Sequence, residues 1–289
     1  MLLGLTQTGV RVEHIEKKTA LIIGASRTIG LGLCREFVRR GWQVIGTVRG
    51  SGSTALHEAA DASAGALEVE VLDMTDQDQL VALRERLAGR RLDLVFVSGA
   101  IANDDDVLPH MSAETFTEVM VTNALSPMRV IETMRDLVPV TGTLGVMSST
   151  QGSVSLNVNG GHEVYRASKS ALNQLMRSFA ARHADDPRTL LLVDPGWVQT
   201  ELGGEGAALS VDESVRGSST RSPATSRKVV CTSLTTGTTR CPGSRGKVAT
   251  ESARRHLVDQ LDDAVRVGVR GDEPKRLAVA VLGREQGPA

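Results

Sequence analysis

The chain has 289 residues, of which 40% are hydrophobic and 23% charged, and its formal net charge is −1. Such a composition is typical of a globular protein, and the near-neutral charge gives no general reason to expect nucleic acid or an anionic membrane as a partner. No stretch approaches the roughly 20 apolar residues of a spanning helix. The three cysteines show neither metal-ligand spacing nor the density of a disulfide scaffold, which favours a cytoplasmic protein without a metal.

Residues 1–18 are interpreted as an extension ahead of the first strand, since they lack the pattern of a signal peptide. After them, short apolar runs alternate with longer amphipathic ones. The predicted strands are 20–23, 43–45, 66–71, 92–97, 144–147 and 190–193, and the predicted helices are 31–40, 77–87, 113–137 and 165–183. This alternation predicts one α/β domain over residues 19–217, a doubly wound, Rossmann-like parallel sheet. Ligands bind beyond the carboxyl ends of such strands.

A glycine-rich turn, Gly24 to Gly30, follows the first strand and opens into a helix. Backbone N–H groups at a helix amino terminus suit a pyrophosphate, so the turn indicates a dinucleotide. The alternative is a tight turn that merely needs glycine. The residues predicted to contact the cofactor here are Gly24, Ser26, Arg27, Thr28, Ile29 and Gly30.

The second strand ends without the carboxylate that usually holds the ribose of NAD, and Arg49 stands there instead. A guanidinium matches a 2′-phosphate, so NADP(H) is preferred, with NAD(H) possible; the alternative is a solvated loop arginine. After the third strand, Asp73 is predicted to accept from the adenine amine, with Met74 beside it. Asp76 is predicted to cap the next helix, and a plain capping role for both aspartates is the alternative.

Small residues, Ser98, Gly99 and Ala100, follow the fourth strand and would let the backbone approach the cofactor closely. Asn123 lies inside the next predicted helix. Because asparagine is a poor helix former, a positioned hydrogen bond is predicted for its side chain, the alternative being an exposed asparagine.

Ser149 follows the fifth strand, and Tyr165 and Lys169 stand four residues apart on one helical face. A neighbouring ammonium lowers the pKa of a phenol and prepares it for acid–base work, although this spacing also occurs on ordinary solvated helices. The sixth strand ends in a rigid turn predicted to contact the nicotinamide amide through the backbone and Thr200. The cofactor contacts predicted there are Pro195, Gly196, Val198 and Thr200.

From about Lys18 to Gly217 the chain resembles the short-chain dehydrogenase/reductase family. The matching positions are Gly24, Thr28, Gly30, Asp73, Asn123, Ser149, Tyr165, Lys169, Pro195 and Gly196. The resemblance implies that Ser149 holds a substrate carbonyl, Tyr165 exchanges a proton with its oxygen, and Lys169 lowers the tyrosine pKa while binding the nicotinamide ribose. It also implies that Asn123 supports a water-linked proton relay.

Three positions depart from the family pattern. Thr28 replaces the middle glycine of the turn and places a side chain near the pyrophosphate. Val97 to Ala100 replaces an Asn-Asn-Ala-Gly strand end, so a bracing amide is lost and Ser98 is expected to substitute in part. The stretch from Ser149 to Tyr165 is expanded by a loop at Asn157–Gly161.

The composition changes after Gly217, since Ser218 to Thr250 contains no Asp or Glu. Codons for residues 238–244 can be chosen so that a shifted frame reads Val-Pro-Trp, an ending found in some family members. The hypothesis is a frameshift shortly after Gly217, with out-of-frame or disordered residues over 218–289. The alternative is a genuine tail with a helix at 251–265 and a surrogate strand at 277–282.

The function predicted from these residues is an NADP(H)-dependent oxidoreductase acting on a small carbonyl or alcohol substrate. Two alternatives are a catalytically silent NAD(P)-binding sensor or scaffold, and a gene product disabled by an altered carboxyl terminus that leaves a sheet edge bare. Residues 201–210 and the Asn157 loop are expected to cover the pocket. The helices carrying Asn123 and Tyr165 are expected to pair subunits in a homodimer or homotetramer, as in the family.

Overall fold

The computed structural model of the protein describes residues 17–102, 108–216 and 278–281. Seven parallel strands form one sheet in the order β3-β2-β1-β4-β5-β6-β7. The strands are β1 (Thr19–Ile23), β2 (Gln43–Val48), β3 (Leu67–Val71), β4 (Leu94–Val97), β5 (Thr143–Met147), β6 (Thr189–Asp194) and β7 (Ala278–Val281). The predicted doubly wound parallel sheet is therefore confirmed.

Helices cover both faces of this sheet. They are α1 (Thr28–Arg39), α2 (Ala55–Asp61), α3 (Gln77–Arg86), α4 (Ala113–Met120), α5 (Ser126–Met134), α6 (Glu163–Arg182) and α7 (Val211–Arg216). The sequence analysis did not predict α2, a short helix capped by Thr54, or α7. In the part of the chain that the structure describes, no helix is long and apolar enough to cross a membrane.

The sheet divides the core into two apolar layers. Along β1, successive side chains alternate between these two layers. Leu21 and Ile23 face the layer that contains α3, α5 and α6, whereas Ala20 and Ile22 face the layer that contains α1, α2 and α7. Successive side chains of a strand point to opposite faces, so a strand buried on both faces is apolar throughout. This explains why central strands such as β1 and β4 are continuous apolar runs, whereas β3 at the edge of the sheet alternates apolar and acidic residues.

The predicted helix 113–137 is interrupted. A wider π-helical turn, Val121–Leu125, joins α4 to α5, and a 3₁₀ turn follows α5. Pro127 occupies the first turn of α5 and has no N–H to donate to the carbonyl of Asn123, which removes one regular helical hydrogen bond. The interruption places Asn123 in the widened turn, a local geometry that often marks functional sites.

The carboxyl-terminal strand β7 pairs in parallel with β6, from Leu191 opposite Ala278 to Asp194 opposite Val281. The surrogate strand expected at 277–282 is therefore present, and β6 has a hydrogen-bonded neighbour on each side. The frameshift hypothesis for the stretch after Gly217 and the helix expected at 251–265 fall on residues outside those described. The same holds for residues 1–16 of the amino-terminal extension.

Candidate active site at the carboxyl edge of the sheet

The carboxyl ends of four adjacent strands bring the predicted site residues together. Ile23 of β1 lies opposite Val97 of β4, and Met147 of β5 lies opposite Val193 of β6. The glycine turn, the Ser98–Ala100 segment, Ser149 and the Pro195–Gly196 turn therefore leave the sheet at one edge. Because strands of a parallel sheet share one direction, residues far apart in the chain become neighbours here.

The glycine turn is packed too closely for any side chain at two of its positions. A Cβ atom on Gly24 would lie 2.7 Å from Cα of Gly99, and one on Gly30 would lie 2.2 Å from the carbonyl oxygen of Gly24. Gly24 also has φ +80°, a left-handed value that suits glycine. Thr47 of β2, which the sequence analysis did not single out, secures the turn by accepting a 3.0 Å hydrogen bond from the N–H of Gly24.

The amino terminus of α1 fits an anionic group. Its N-cap residue, Arg27, makes no side-chain capping hydrogen bond, and the first turn carries no acidic residue. Such a terminus presents backbone N–H groups and the positive end of the helix dipole, as a pyrophosphate requires. Ser26, Thr28 and Ile29 are partly exposed in this turn. The site residues present therefore fit a dinucleotide.

The side chain of Arg27 extends from the amino terminus of α1 to the segment after β6. Its guanidinium lies 2.7 Å from the carboxylate of Glu201, in the segment expected to cover the pocket. The sequence analysis assigned Arg27 to the cofactor and did not foresee this ion pair. Both side chains are mostly exposed, so the pair is weak and screened by salt.

Thr28 adopts φ +48°, in the left-handed region. A β-branched residue is an outlier there, because its two Cβ substituents crowd the backbone. The sequence analysis expected Thr28 to add a side chain near the pyrophosphate, and the structure adds backbone strain at the position where the family has glycine.

Replacing Thr28 by glycine is expected to stabilise the fold. Relief of left-handed strain is worth about 1–3 kcal/mol, and the extra chain entropy of glycine offsets about 0.5–1 kcal/mol of that. A net gain of about 1 kcal/mol raises the Tm by roughly 2–4 °C for a domain of this size. Thermal unfolding measures the change. Ala64 has φ +51° in a distant turn, so Ala64→Gly is the matched variant. A Thr28→Gly protein with a Tm below that of wild type would contradict the strain at Thr28.

Two residues, Arg49 and Asp73, were predicted to contact the adenosine half of the cofactor. Arg49 is exposed directly after β2. Asp76 is the N-cap of α3, as predicted, and accepts from the N–H groups of Asp78 and Gln79. Asp73 is not a helix cap: its carboxylate accepts from the N–H and the hydroxyl of Thr75, which closes a local turn. The capping alternative is thus wrong for Asp73 and right for Asp76.

Asn123 is fully buried, which excludes the exposed alternative. Its side-chain oxygen accepts from the N–H of Ile101 at 2.9 Å, and its amide donates to the carbonyl of Ile101 at 2.7 Å and to the hydroxyl of Ser168 at 3.0 Å. The predicted positioned hydrogen bond is confirmed. Through these bonds Asn123 ties the segment after β4 to α6.

Ser149, Tyr165 and Lys169 meet at the centre of this edge. The Ser149 hydroxyl lies beside the Tyr165 phenol and acts to lower its pKa. Lys169 is buried, and its ammonium donates to the carbonyl of Met147 at 2.9 Å and lies 5.6 Å from the centroid of the Tyr165 ring. The sequence analysis predicted all three, and the structure places them side by side.

The acidity of the phenol differs from the prediction. Burial, and next the charge of Asp194, raise the pKa of Tyr165, and the hydrogen bond from Ser149 opposes them. Burial lowers the pKa of Lys169 to about 8, although Asp194 acts to raise it. The predicted lowering of the tyrosine pKa by Lys169 is therefore not a property of the protein without cofactor. The reason is physical: removing a phenol from water disfavours its anion.

Two residues that the sequence analysis missed join the Ser149 turn to α6. Asn173 accepts a 2.6 Å hydrogen bond from the hydroxyl of Ser148 and donates to the carbonyl of Gly152. Ser170 also donates to that carbonyl. A Cβ atom on Gly152 would lie 2.9 Å from the backbone carbon of Lys169. Serine and asparagine at i, i+3 on α6 were the available signal, but without the fold nothing showed what they bind.

The turn after β6 is held by its own hydrogen bonds. Gly196 has φ +81°, Val198 is buried and pairs with Leu209, and the hydroxyl of Thr200 accepts from the N–H of Gly203. Trp197 donates from its indole to the carbonyl of Gly203 at 2.8 Å. The predicted contact of Thr200 with a nicotinamide amide stays a prediction, since its hydroxyl already takes part in the turn.

Comparison with known proteins points to one family. A family profile described as Enoyl-(Acyl carrier protein) reductase matches residues 24–229. The 1-hydroxy-2-glutathionyl-2-methyl-3-butene dehydrogenase of Rhodococcus sp. (strain AD45) is 32% identical over 188 residues, which cover 64% of this chain and 79% of that protein.

Solved structures agree with this result. A Burkholderia multivorans protein, provisionally assigned to the short-chain dehydrogenases/reductases and solved with bound NADP, is 50% identical at a TM-score of 0.67 and covers 68% of this chain and 87% of its own. A carbonyl reductase from Pseudomonas aeruginosa PAO1 in complex with NADP is 36% identical at a TM-score of 0.64, with coverages of 69% and 87%.

Proposed function

The chain belongs to the short-chain dehydrogenase/reductase family, and from that premise we propose that it is an NADP(H)-dependent reductase of small carbonyl compounds, with Tyr165 as the proton donor. One observation carries the proposal. The Ser149 hydroxyl lies beside the Tyr165 phenol and next to the buried ammonium of Lys169, at the sheet edge where the glycine turn opens.

The three side chains have separate tasks. A bound nicotinamide supplies the hydride, and the protein supplies orientation and electrostatics. Ser149 and Tyr165 hold the carbonyl oxygen between their hydroxyl groups, and the phenol proton passes to that oxygen as negative charge develops on it. Lys169 holds the ribose and keeps positive charge close to the developing anion. Asn123 holds the segment after β4 against α6, so that this arrangement does not move.

NADP(H) is proposed over NAD(H) because Arg49 stands where a carboxylate would otherwise receive the ribose hydroxyls. The bound NADP of the Burkholderia and Pseudomonas proteins supports this choice. A guanidinium and a phosphate attract each other, whereas a carboxylate there would repel the 2′-phosphate.

Replacing Arg49 by alanine is expected to weaken NADPH binding by roughly 10- to 100-fold, because a hydrogen bond between charged groups is worth about 1.5–3 kcal/mol. The affinity for NADH, which lacks the phosphate, should hardly change. Calorimetric titration with both cofactors measures the difference. Arg35 is exposed on α1, so Arg35→Ala is the matched control variant. An equal loss of affinity for NADPH and NADH in the Arg49→Ala protein would contradict the proposed role of Arg49.

The function is tested by following NADPH absorbance in the presence of aldehydes and ketones. We expect NADPH consumption that depends on the carbonyl compound and stops when it is exhausted. A protein that binds NADPH tightly but turns over no carbonyl compound would instead support the sensor or scaffold alternative. A protein that neither folds nor gains thermal stability with NADPH would support the disabled-product alternative.

A homodimer or homotetramer in the cytoplasm stays a prediction. Three large apolar side chains are about two-fifths exposed on the helices expected to pair subunits, namely Phe116 on α4, Leu125 after it and Leu175 on α6. Exposed apolar side chains on these elements are consistent with a subunit contact.

A further inference from the structure

Asp194, the last residue of β6, is a buried carboxylate beneath the active site. One of its oxygens accepts from the N–H of Gly196 at 2.9 Å, and the other accepts from the N–H of Thr150 at 2.9 Å. The first bond fixes the turn after β6. The second fixes the residue that directly follows Ser149. A single side chain thus joins the two loops that border the site.

The register of the sheet brings this carboxylate close to the catalytic lysine. Met147 lies opposite Val193, so Asp194 leaves β6 at the level where Ser148 leaves β5. The ammonium of Lys169 donates to the carbonyl of Met147 at 2.9 Å, at the same end of the same strand pair. Both Lys169 and Tyr165 experience the charge of Asp194.

The hydrogen-bond partners of Asp194 indicate that it is ionised. Burial has the largest influence and raises the pKa of Asp194 above its ordinary value, while the N–H of Gly196, the N–H and hydroxyl of Thr150 and the charge of Lys169 act to lower it. Each of its two oxygens accepts from a backbone N–H, and the ammonium of Lys169 lies at the same end of the strand pair. Two backbone donors and a nearby cation favour the carboxylate and oppose the effect of burial.

We propose that Asp194 is a positioning residue whose carboxylate holds the Ser149 loop against the Pro195–Gly196 turn and whose negative charge favours the protonated forms of Tyr165 and Lys169. The catalytic consequence rests on the reductase function proposed above. Neutral Tyr165 is the form that carbonyl reduction uses, and alcohol oxidation requires the phenolate.

Among the residues that the structure describes, few other charges compete with Asp194. The elements packed against α6 include α4, with Glu114 and Glu118, and α5, with Arg129 and Glu132. The three glutamates are exposed, and Arg129 is partly exposed, so solvent screens them. Neither the π-helical turn nor the 3₁₀ turn after Ser149 carries a charged residue.

The direction of the effect on the phenol follows from the order of titration. The pKa of Lys169 is about 8, and that of Tyr165 lies above the ordinary tyrosine value, so the lysine is already neutral when the phenol loses its proton. Removing the negative charge of Asp194 then acts on the phenol alone. It favours the phenolate and lowers the pKa of Tyr165.

Tyr165 is the only tyrosine of the chain, so its ionisation can be read directly from the ultraviolet absorbance of tyrosinate. Rapid pH jumps with full-length protein allow the reading before the chain unfolds. For wild type we expect a midpoint above the value of about 10 that holds for a free phenol. For Asp194→Asn we expect a midpoint lower than wild type by about one unit or more.

Three further proteins complete the test. Asp93→Asn removes a buried carboxylate at the opposite end of the sheet and should leave the midpoint unchanged. Tyr165→Phe gives the baseline without a phenol. Asp194→Ser removes the charge with a different side chain and should lower the midpoint as Asp194→Asn does, which covers the case in which one variant does not fold.

The outcome that overturns the proposal is a midpoint in a folded Asp194 variant that equals or exceeds that of wild type. A carboxylate that served only as a hydrogen-bond acceptor would give this result, because it would change stability without changing the phenol. A wild-type midpoint at or below that of the denatured chain would also overturn it. The titration needs no turnover, so a protein without reductase activity can still show the shift, and the two failures are distinguishable.

Discussion

Replacing Tyr165 by phenylalanine is expected to lower kcat for carbonyl reduction by roughly 10²- to 10⁴-fold, the contribution of a positioned general acid. The change removes one oxygen atom. The ring of Tyr165, which lies 5.6 Å from the ammonium of Lys169, remains. The loss therefore reports proton donation and not a collapse of the site.

The measurement is the steady-state rate of NADPH oxidation with a carbonyl compound that wild type reduces, together with NADPH affinity by calorimetry. Affinity should stay within about twofold of wild type, because the phenol proton contributes in the transition state and not to ground-state binding. An unchanged kcat would remove Tyr165 from the mechanism. An equal loss of affinity and rate would indicate a binding role instead.

Replacing Gly152 by alanine is expected to lower kcat about 100-fold without touching a reacting group, because a displacement of about 1 Å within a catalytic site has an effect of that size. The new Cβ would lie 2.9 Å from the backbone carbon of Lys169 and 2.8 Å from the side-chain amide of Asn173. A helix backbone cannot yield as a flexible side chain can. The turn after Ser149 must therefore move away from α6, which separates Ser149 from Tyr165.

Thermal unfolding of the Gly152→Ala protein should show a loss of about 1–3 kcal/mol, as for other overpacked sites. Gly206 is exposed and a Cβ there meets no atom within 4 Å, so Gly206→Ala is the matched control, with expected rate and stability close to wild type. A Gly152→Ala protein with wild-type kcat would show that the packing of this turn on α6 does not position the site.

Much of the fold and of the site was predictable because it depends on local patterns. Central strands such as β1 and β4 are apolar on both faces, which makes them continuous apolar runs, whereas β3 at the edge of the sheet alternates apolar and acidic residues. Glycine is needed at positions 24 and 30 because a Cβ atom there would meet the turn itself or Gly99 at the end of β4. The i, i+4 spacing of Tyr165 and Lys169 places both on one face of α6.

Other features were not predictable because they depend on neighbours distant in the chain. The pattern of residues 113–137 predicts one helix. In the structure a widened turn interrupts this helix before Pro127, and it contains Asn123, whose side chain is hydrogen bonded to Ile101 and Ser168. No sequence pattern indicated the role of Asn173, because its hydrogen bond with Ser148 forms only when the Ser149 turn packs against α6. The sequence shows that Thr28 adds a side chain to the glycine turn, whereas the strain there is visible only in its backbone angle φ.

Periodicity and short-range spacing were enough to predict the parallel sheet, its glycine turn, and a serine, a tyrosine and a lysine at one edge of it. Only the tertiary structure decided their acidity. Lys169 was expected to make Tyr165 more acidic, yet burial and the carboxylate of Asp194, 29 positions further along the chain, act in the opposite direction. A pKa depends on desolvation and on charges gathered from separate strands, and both exist only once the sheet has formed.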